Sequence, residues 1–404
     1  MKILMVNKFL YPRGGAESYM LKLSESLMRA GHEVQFFGMY DEKNTVGNSL
    51  NLYTQNMDFH SGGAERFLYP FKIIYSKEAY RKIGRVIDDF KPDIVHMNNI
   101  NFQLTPSIIY AVKKRNIPLV QTVHDYQMIC PNHLLYSFDE KSACTRCVHA
   151  SRLNCIKHRC IHMSRVKSLI GVIEAQLYSA LKTYKIVDLY ICPSRFLEKK
   201  LTDAADFYRG KTFMLHNFIE KTGVCEDYDR ENPYIIFVGR LSGEKGISLL
   251  AQTARLMPEY KFVVAGNGPD GAELDGIPNV HMTGFLGGDE LTKAISRAKA
   301  LILPSVCYEN CPLTILEAHS MGVPVITMNS GGMAELVEDG VTGSLIQKAD
   351  AEHVADAVRR TLDNEDKYMQ LRENCRKKYI MPADDYCRAV TDKYRELAGR
   401  RKTQ

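Results

Sequence analysis

The sequence predicts an α/β protein built as two Rossmann-like halves, each a parallel sheet covered by helices, and three observations carry that expectation. Two distant stretches share one plan, and short apolar runs alternate with helical stretches along the chain, the pattern from which parallel sheets are made. A length of 404 residues also exceeds what one ordinary core holds, so two domains are expected.

The first stretch opens with the strand Ile3-Leu4-Met5-Val6 and passes through a loop ending Gly14-Gly15. It continues as a helix over residues 16–29, stops at Gly31 and returns as a strand over 34–37. The second opens with Tyr234-Ile235-Ile236-Phe237-Val238, a loop holding Gly239, Gly243 and Gly246, a helix to Met257 and a strand over 262–265. Each is the opening of a Rossmann-like half. Ile94-Val95-His96-Met97, Leu119-Val120-Gln121-Thr122-Val123 and Leu189-Tyr190-Ile191-Cys192 supply further strands to the first half. Val280-His281-Met282, Leu301-Ile302-Leu303, Val325-Ile326-Thr327 and Ser344-Leu345-Ile346 supply the second. The expected domains are residues 1–216, with a cysteine-rich basic insertion near 130–167, and residues 217–383; residues 384–404 read as a terminal helix.

Hydrophobic residues make up 45% and charged residues 25% of the chain, values of a soluble globular protein. No run reaches the roughly 18 to 20 apolar residues that span a bilayer, and the start, Met1-Lys2-Ile3-Leu4-Met5-Val6-Asn7, turns polar too soon for a secretory signal. A cytoplasmic location is expected. Eleven scattered cysteines then read as reduced thiols rather than a disulfide scaffold.

The most informative stretch is Tyr308-Glu309-Asn310-Cys311-Pro312-Leu313-Thr314-Ile315-Leu316-Glu317-Ala318. The preceding strand ends at Pro304, and Pro312 suits the first turn of a helix that stops at Gly322. The N–H groups and the positive dipole end of this helix start, in the stretch Asn310, Cys311, Pro312, Leu313 and Thr314, would attract a phosphate. Glu317 follows about 7 Å along the axis, at ~1.5 Å per residue from Pro312, while Glu309 stays on the loop. Diphosphate at the helix tip, ribose hydroxyls on Glu317 and sugar beside Glu309 make a nucleotide-sugar the ligand that fits. Arg240 and Lys245, in Gly239-Arg240-Leu241-Ser242-Gly243-Glu244-Lys245-Gly246, would stand at the carboxyl edge of the second sheet, where open α/β sheets bind ligands. The lone Asp-x-Asp, Asp227 to Asp229, lies in the connector and reads as solvated charge.

The Glu-x7-Glu spacing, followed by Gly322-Val323-Pro324-Val325-Ile326 and Gly331-Gly332-Met333-Ala334-Glu335, resembles the signature of retaining GT-B glycosyltransferases of family 4, over nearly the full length. The resemblance implies two Rossmann-like domains with parallel sheets facing a central cleft, and a terminal helix that crosses back to the first domain. It implies transfer of a sugar with retention from a nucleoside-diphosphate-sugar to a glycan or lipid-linked acceptor, in cell-surface polysaccharide synthesis. Arg240 and Lys245 would hold the donor diphosphate and replace a divalent metal, so no cofactor is required for catalysis. Loops at Gly266 and Phe285 would frame the base, Gly14 and Gly15 would approach a phosphate or the transferred sugar, and His124 would contact a sugar hydroxyl. Asp125 would orient His124 or cap a helix. Glu309 would stabilise charge developing on the ring, and no residue acts as a nucleophile. Asn310-Cys311-Pro312 replaces the family's usual small, glycine-containing run, which leaves the donor sugar open.

One segment stands outside this scheme. Residues 141–167 hold seven Lys or Arg and no Asp or Glu, against +6 for the whole chain. Within it, Cys144, Cys147, Cys155 and Cys160 are either four ligands of a structural zinc or free thiols, with Cys130 as an outside candidate. Leu169, Ile170, Val172, Ile173, Leu177, Tyr178 and Leu181 then mark an amphipathic helix. It either faces a core or rests on an anionic membrane, which would make the protein peripheral on the inner face. Nucleic acid is not an expected partner, because the basic patch lacks interleaved aromatics and a recognition motif. The competing functions are a sugar-nucleotide epimerase or phosphorylase on the same fold and a non-catalytic nucleotide-sugar-binding protein.

Overall fold

The computed structural model describes residues 1–56, 73–220 and 228–402. The chain gathers into two compact units, one of residues 1–134, 145–217 and 383–404, the other of residues 135–144 and 218–382.

The strands of the first unit are β1 (Lys2–Val6), β2 (Glu33–Phe37), β3 (Ile94–Met97) and β4 (Leu119–Thr122); after a short hairpin, β5 (Tyr136–Ser137) with β6 (Ser142–Ala143), come β7 (Leu189–Cys192) and β8 (Thr212–Met214). Apart from the hairpin they form one parallel sheet in the order β2-β1-β3-β4-β7-β8. β3, β4 and β7 are buried along their whole length, as parallel strands with both faces covered must be. The order reverses between β1 and β3, so the loops leaving those two strands flank the crevice at which such sheets take ligands. The terminal helix Ala383–Lys402 belongs to this unit. Its buried Tyr386 hydroxyl lies 2.8 Å from that of Tyr19, and its Tyr394 hydroxyl 2.5 Å from His96 Nδ1.

The second unit repeats the plan. Its strands β9 (Tyr234–Val238), β10 (Lys261–Ala265), β11 (Val280–Gly284), β12 (Ala300–Leu303), β13 (Val325–Met328) and β14 (Gly343–Ile346) form a parallel sheet ordered β11-β10-β9-β12-β13-β14. The reversal here falls between β9 and β12. Ile235, Ile236, Phe237, Leu301 and Ile302 form part of its buried core. The antiparallel β5–β6 hairpin, which pairs Tyr136 with Ala143 and Ser137 with Ser142, packs with this second unit. The whole insertion near 130–167 was expected in the first domain; residues 135–144 depart from that because Tyr136 is buried beside second-unit side chains. Among the described residues no helix is long and apolar enough to cross a membrane.

Candidate functional site

At the switch point of the second sheet, the loop after β9 carries Arg240 and Lys245, and the loop after β12 carries Glu309. Their approach depends on two glycines. Gly246 has φ +77°, and a Cβ there would stand 2.1 Å from the Pro304 carbonyl oxygen, so only glycine lets the Lys245 turn lie on the other loop. Gly331, at φ +60°, leaves room for the Glu309 backbone; a Cβ would come within 2.7 Å of its carbonyl oxygen. The N–H of Gly332 donates to that same oxygen at 2.7 Å, and the N–H groups of Val306 and Cys307 donate to the Glu244 carbonyl at 3.0 and 3.3 Å.

With the backbone held on both sides, the Glu309 side chain turns toward Lys245. Its Oε1 receives the Lys245 ammonium, and Ser305 Oγ donates to it at 3.0 Å. The Cys307 thiol lies 3.9 Å from the same oxygen. The pair is not sealed: the Lys245 side chain keeps 30% and Glu309 17% of its surface exposed. Burial works against the Lys245 cation, but Glu309, with Cys307 and Glu244 adding to it, outweighs burial and holds the ammonium above its ordinary range. Burial first, and then Glu309, push the Cys307 thiol up, so it stays protonated.

Around this pair, Arg240 is exposed. The helix Leu313–Ser320 starts after Pro312, which caps it without a side-chain hydrogen bond. Pro312 therefore precedes the first turn instead of standing in it. Cys311 is buried, while Asn310, Leu313, Thr314 and Glu317 are half-buried. The Gly266 N–H donates to the Gly284 carbonyl at 2.8 Å, tying the end of β10 to that of β11 beside the exposed ring of Phe285.

Sequence reasoning missed Ser305, Cys307 and Tyr136. The Tyr136 hydroxyl would stand 3.8 Å from a Cβ built on Gly243, and burial, with Glu244, Cys307 and Asp270 adding to it, pushes its pKa up to about 12. A Ser and a Cys beside Glu309 were visible as neighbours in sequence, but nothing in the string says which way they turn.

In the first unit the polar groups at the sheet edge are tied to one another. Gly14 caps the helix Gly15–Arg29 in an extended conformation, without a side-chain hydrogen bond. The buried Glu17 carboxylate lies 3.4 Å from where a Gly14 Cβ would stand and accepts from Asn7 Nδ2 at 3.2 Å. Negative charge thus already sits at this helix start, which suits a hydroxyl better than a phosphate. His124 Nε2 donates to Asn98 Oδ1 at 2.9 Å, and burial pushes the imidazole pKa down to about 3, so it is neutral at neutral pH. Its ring meets that of Tyr19 edge-on at 5.0 Å. Asp125 does not orient His124 or cap a helix; it accepts from Asn101 Nδ2 at 2.7 Å and from the Gln127 N–H at 2.9 Å. The carbonyl of the same Asn101 amide accepts from Lys8 Nζ at 3.0 Å.

The structure brings three of the four cysteines together, Cys147 packing against buried Cys155 and Cys160. Among the described residues no three His, Cys, Asp or Glu side chains are placed to hold a metal ion. Cys155 and Cys160 pack with Val172 as buried thiols, and Cys130 donates to Asn132 Oδ1 at 2.9 Å. Of the Asp-x-Asp pair, Asp227 lies outside the described residues and Asp229 stands 3.7 Å from the Arg297 guanidinium.

Comparison with known proteins gives a consistent picture. Residues 226–378 match the family model described as glycosyl transferases group 1, and residues 13–222 that described as glycosyltransferase family 4. An uncharacterized glycosyltransferase of Methanocaldococcus jannaschii is 28% identical over 383 residues, spanning 90% of each chain. An uncharacterized 42.6 kDa protein in the cps region of Klebsiella pneumoniae is 25% identical over 354 residues, 83% of this chain and 87% of that one. Among solved structures, sucrose-phosphate synthase of Thermosynechococcus elongatus superposes with a TM-score of 0.70 at 16% identity, over 98% of each chain. Anabaena HepE, in complex with UDP and glucose, superposes with a TM-score of 0.68 at 17% identity, over 97% of this chain and 99% of that one. At such identities the likeness establishes the GT-B fold and no more.

Proposed function

Since the chain belongs to glycosyltransferase family 4, we propose that it moves a sugar, with retention, from a nucleoside-diphosphate-sugar to a glycan or lipid-linked acceptor. The observation that carries this reading is the Lys245–Glu309 pair at the β9/β12 switch point, beside the exposed Arg240. Breaking the anomeric C–O bond adds negative charge to the departing diphosphate and positive charge to the ring. Arg240 and Lys245 answer the first change and Glu309 the second, and each stabilises the transition state more than the ground state. The start of the helix Leu313–Ser320 adds N–H groups for a phosphate, and Glu317 takes the ribose hydroxyls. The loops at Gly266 and Phe285 frame the base.

Retention follows from attack on the face the leaving group departs from, with a leaving phosphate oxygen removing the acceptor proton. His124, neutral and held by Asn98, contacts a sugar hydroxyl, and Gly14 and Gly15 leave room beside it. Two cations do the work of a divalent metal, so catalysis needs none. The acceptor classes place the enzyme in cell-surface polysaccharide synthesis, on the cytoplasmic side of a membrane. Because the HepE complex holds UDP and glucose, uridine diphosphate sugars are the first donors to test.

The test supplies uridine, guanosine and adenosine diphosphate sugars with an acceptor mixture and a metal chelator, and follows the anomeric signal by NMR. Transfer that keeps the donor's anomeric configuration in the presence of chelator is the expected result. Inversion, a strict metal requirement at saturating donor, or epimerised donor without transfer would each sink the reading.

A further inference from the structure

The helix Arg165–Ala180 is turned the wrong way round for a helix of a water-soluble domain. At about 100° per residue, Val166, Leu169 and Ile173 share one side, and they are 68%, 45% and 45% exposed. Ile170 and Leu177 border that stripe half-buried, and Leu181 and Met163 extend it beyond the helix ends, 55% and 45% exposed. The side that faces the protein carries Ser168, Gly171, Val172, Glu174 and Tyr178. A helix normally spends its apolar side on the core; this one shows it to water and buries a carboxyl group.

The charge around the stripe says what covers it. Arg165 and Lys167, both exposed, stand roughly 100° to either side of Val166, where long cationic side chains can lie along an apolar surface and keep their heads at its polar boundary. Residues 141–182 hold eight Lys or Arg and one acid, and that acid, Glu174, is buried. A second copy of the chain would bring two such cationic segments together, and their repulsion opposes the contact. A surface that is apolar within and negatively charged at its boundary meets both features at once.

We propose that the Val166, Leu169 and Ile173 face of this helix docks on an anionic lipid bilayer, lying in the interface plane with Arg165 and Lys167 on the lipid phosphates. This deepens the transferase reading by giving a lipid-linked acceptor a surface from which to be presented. It rests on that reading for its purpose and not for its test.

The full-length protein is sedimented with vesicles of phosphatidylcholine alone and of phosphatidylcholine mixed with phosphatidylglycerol, with no sugar present. Binding to the mixed vesicles only, released by high salt, is expected. Leu169→Ser with Ile173→Ser should lower partitioning at least tenfold. Arg165→Gln with Lys167→Gln should lower it roughly 25-fold, at about fivefold per cation near such a surface. Thermal unfolding of both variants should match the parent, since all four side chains are exposed. Native protein that stays in solution with anionic vesicles, or variants that sediment as it does, would overturn the proposal. Self-association of the native protein that the serine variant abolishes would assign the face to a second copy. None of these failures would touch transfer to a water-soluble acceptor.

Discussion

The two sheets share a nearly common strand order, but their edges treat charge differently. At the first, Lys8 and Asp125 meet opposite ends of one amide, Asn101, while Glu17 is held by Asn7 and the imidazole of His124 is neutral. These three charged side chains each meet a side-chain amide. At the second, Lys245 and Glu309 pair as full charges, with Ser305 donating to the carboxylate, remain partly exposed, and stand beside Arg240. An incoming anion can therefore reach Lys245 and Arg240 from solvent. One fold thus offers a settled edge, suited to reading hydroxyls whose charge does not change, and an unsettled one, suited to a bond whose breaking separates charge.

The contrast breaks first at the cations. Lys245→Ala and Arg240→Ala should each cost about 2 to 4 kcal/mol in transition-state stabilisation, read as a fall in kcat/KM with the fold intact; unchanged kcat/KM in both variants would remove them from the site. The glutamates sharpen it next. Glu309→Gln keeps the shape but removes the charge, and should lower kcat by about 1.5 to 3 kcal/mol of barrier. Glu317→Gln should chiefly raise the donor KM, because ribose contacts persist through the reaction. Equal effects confined to KM would erase the distinction.

The smallest effect belongs to the settled edge. The half-buried His124 and the fully buried His96 have pKa values of about 3 against 6.5 for the free imidazole. The unfolded chain takes up protons below 6.5 that the fold refuses, so these two groups stabilise the protein above that pH. Their contribution is lost as pH falls from 6.5 toward 3. Activity, by contrast, should show no step near pH 6.5 arising from His124. A titration near pH 6.5 in kcat/KM that vanishes in His124→Asn would mean the histidine is charged when it works.

The strands could be read from the sequence because fully buried parallel strands are written as unbroken apolar runs, as at Ala300–Leu303. Arg240 and Lys245 were legible for a related reason: charge placed just after such a run has only the sheet edge to occupy. The supports were not. Ser305 and Asn98 act through side-chain direction, which depends on loops pinned from elsewhere in the chain. The two-residue strands of the β5–β6 hairpin carry too short a pattern to announce a partner many residues away. Periodicity found the 165–180 helix but could not say which side faces inward. Glu174 settles that: burial pushes its carboxyl pKa up to about 8, a cost no apolar count would anticipate.

The placement of the helix Ala383–Lys402 in the first unit has a consequence for the order of synthesis. The last strand of that unit's sheet, β8, ends at Met214, yet the hydroxyls that meet Tyr19 and His96 are supplied by Tyr386 and Tyr394. A ribosome adding roughly 5 to 20 residues per second takes about 10 to 40 s to travel that distance. For that interval Tyr19 and His96 are without the Tyr386 and Tyr394 hydroxyls while all the strands of the second sheet are being made. The last piece of the first unit is thus synthesised after every strand of the second sheet.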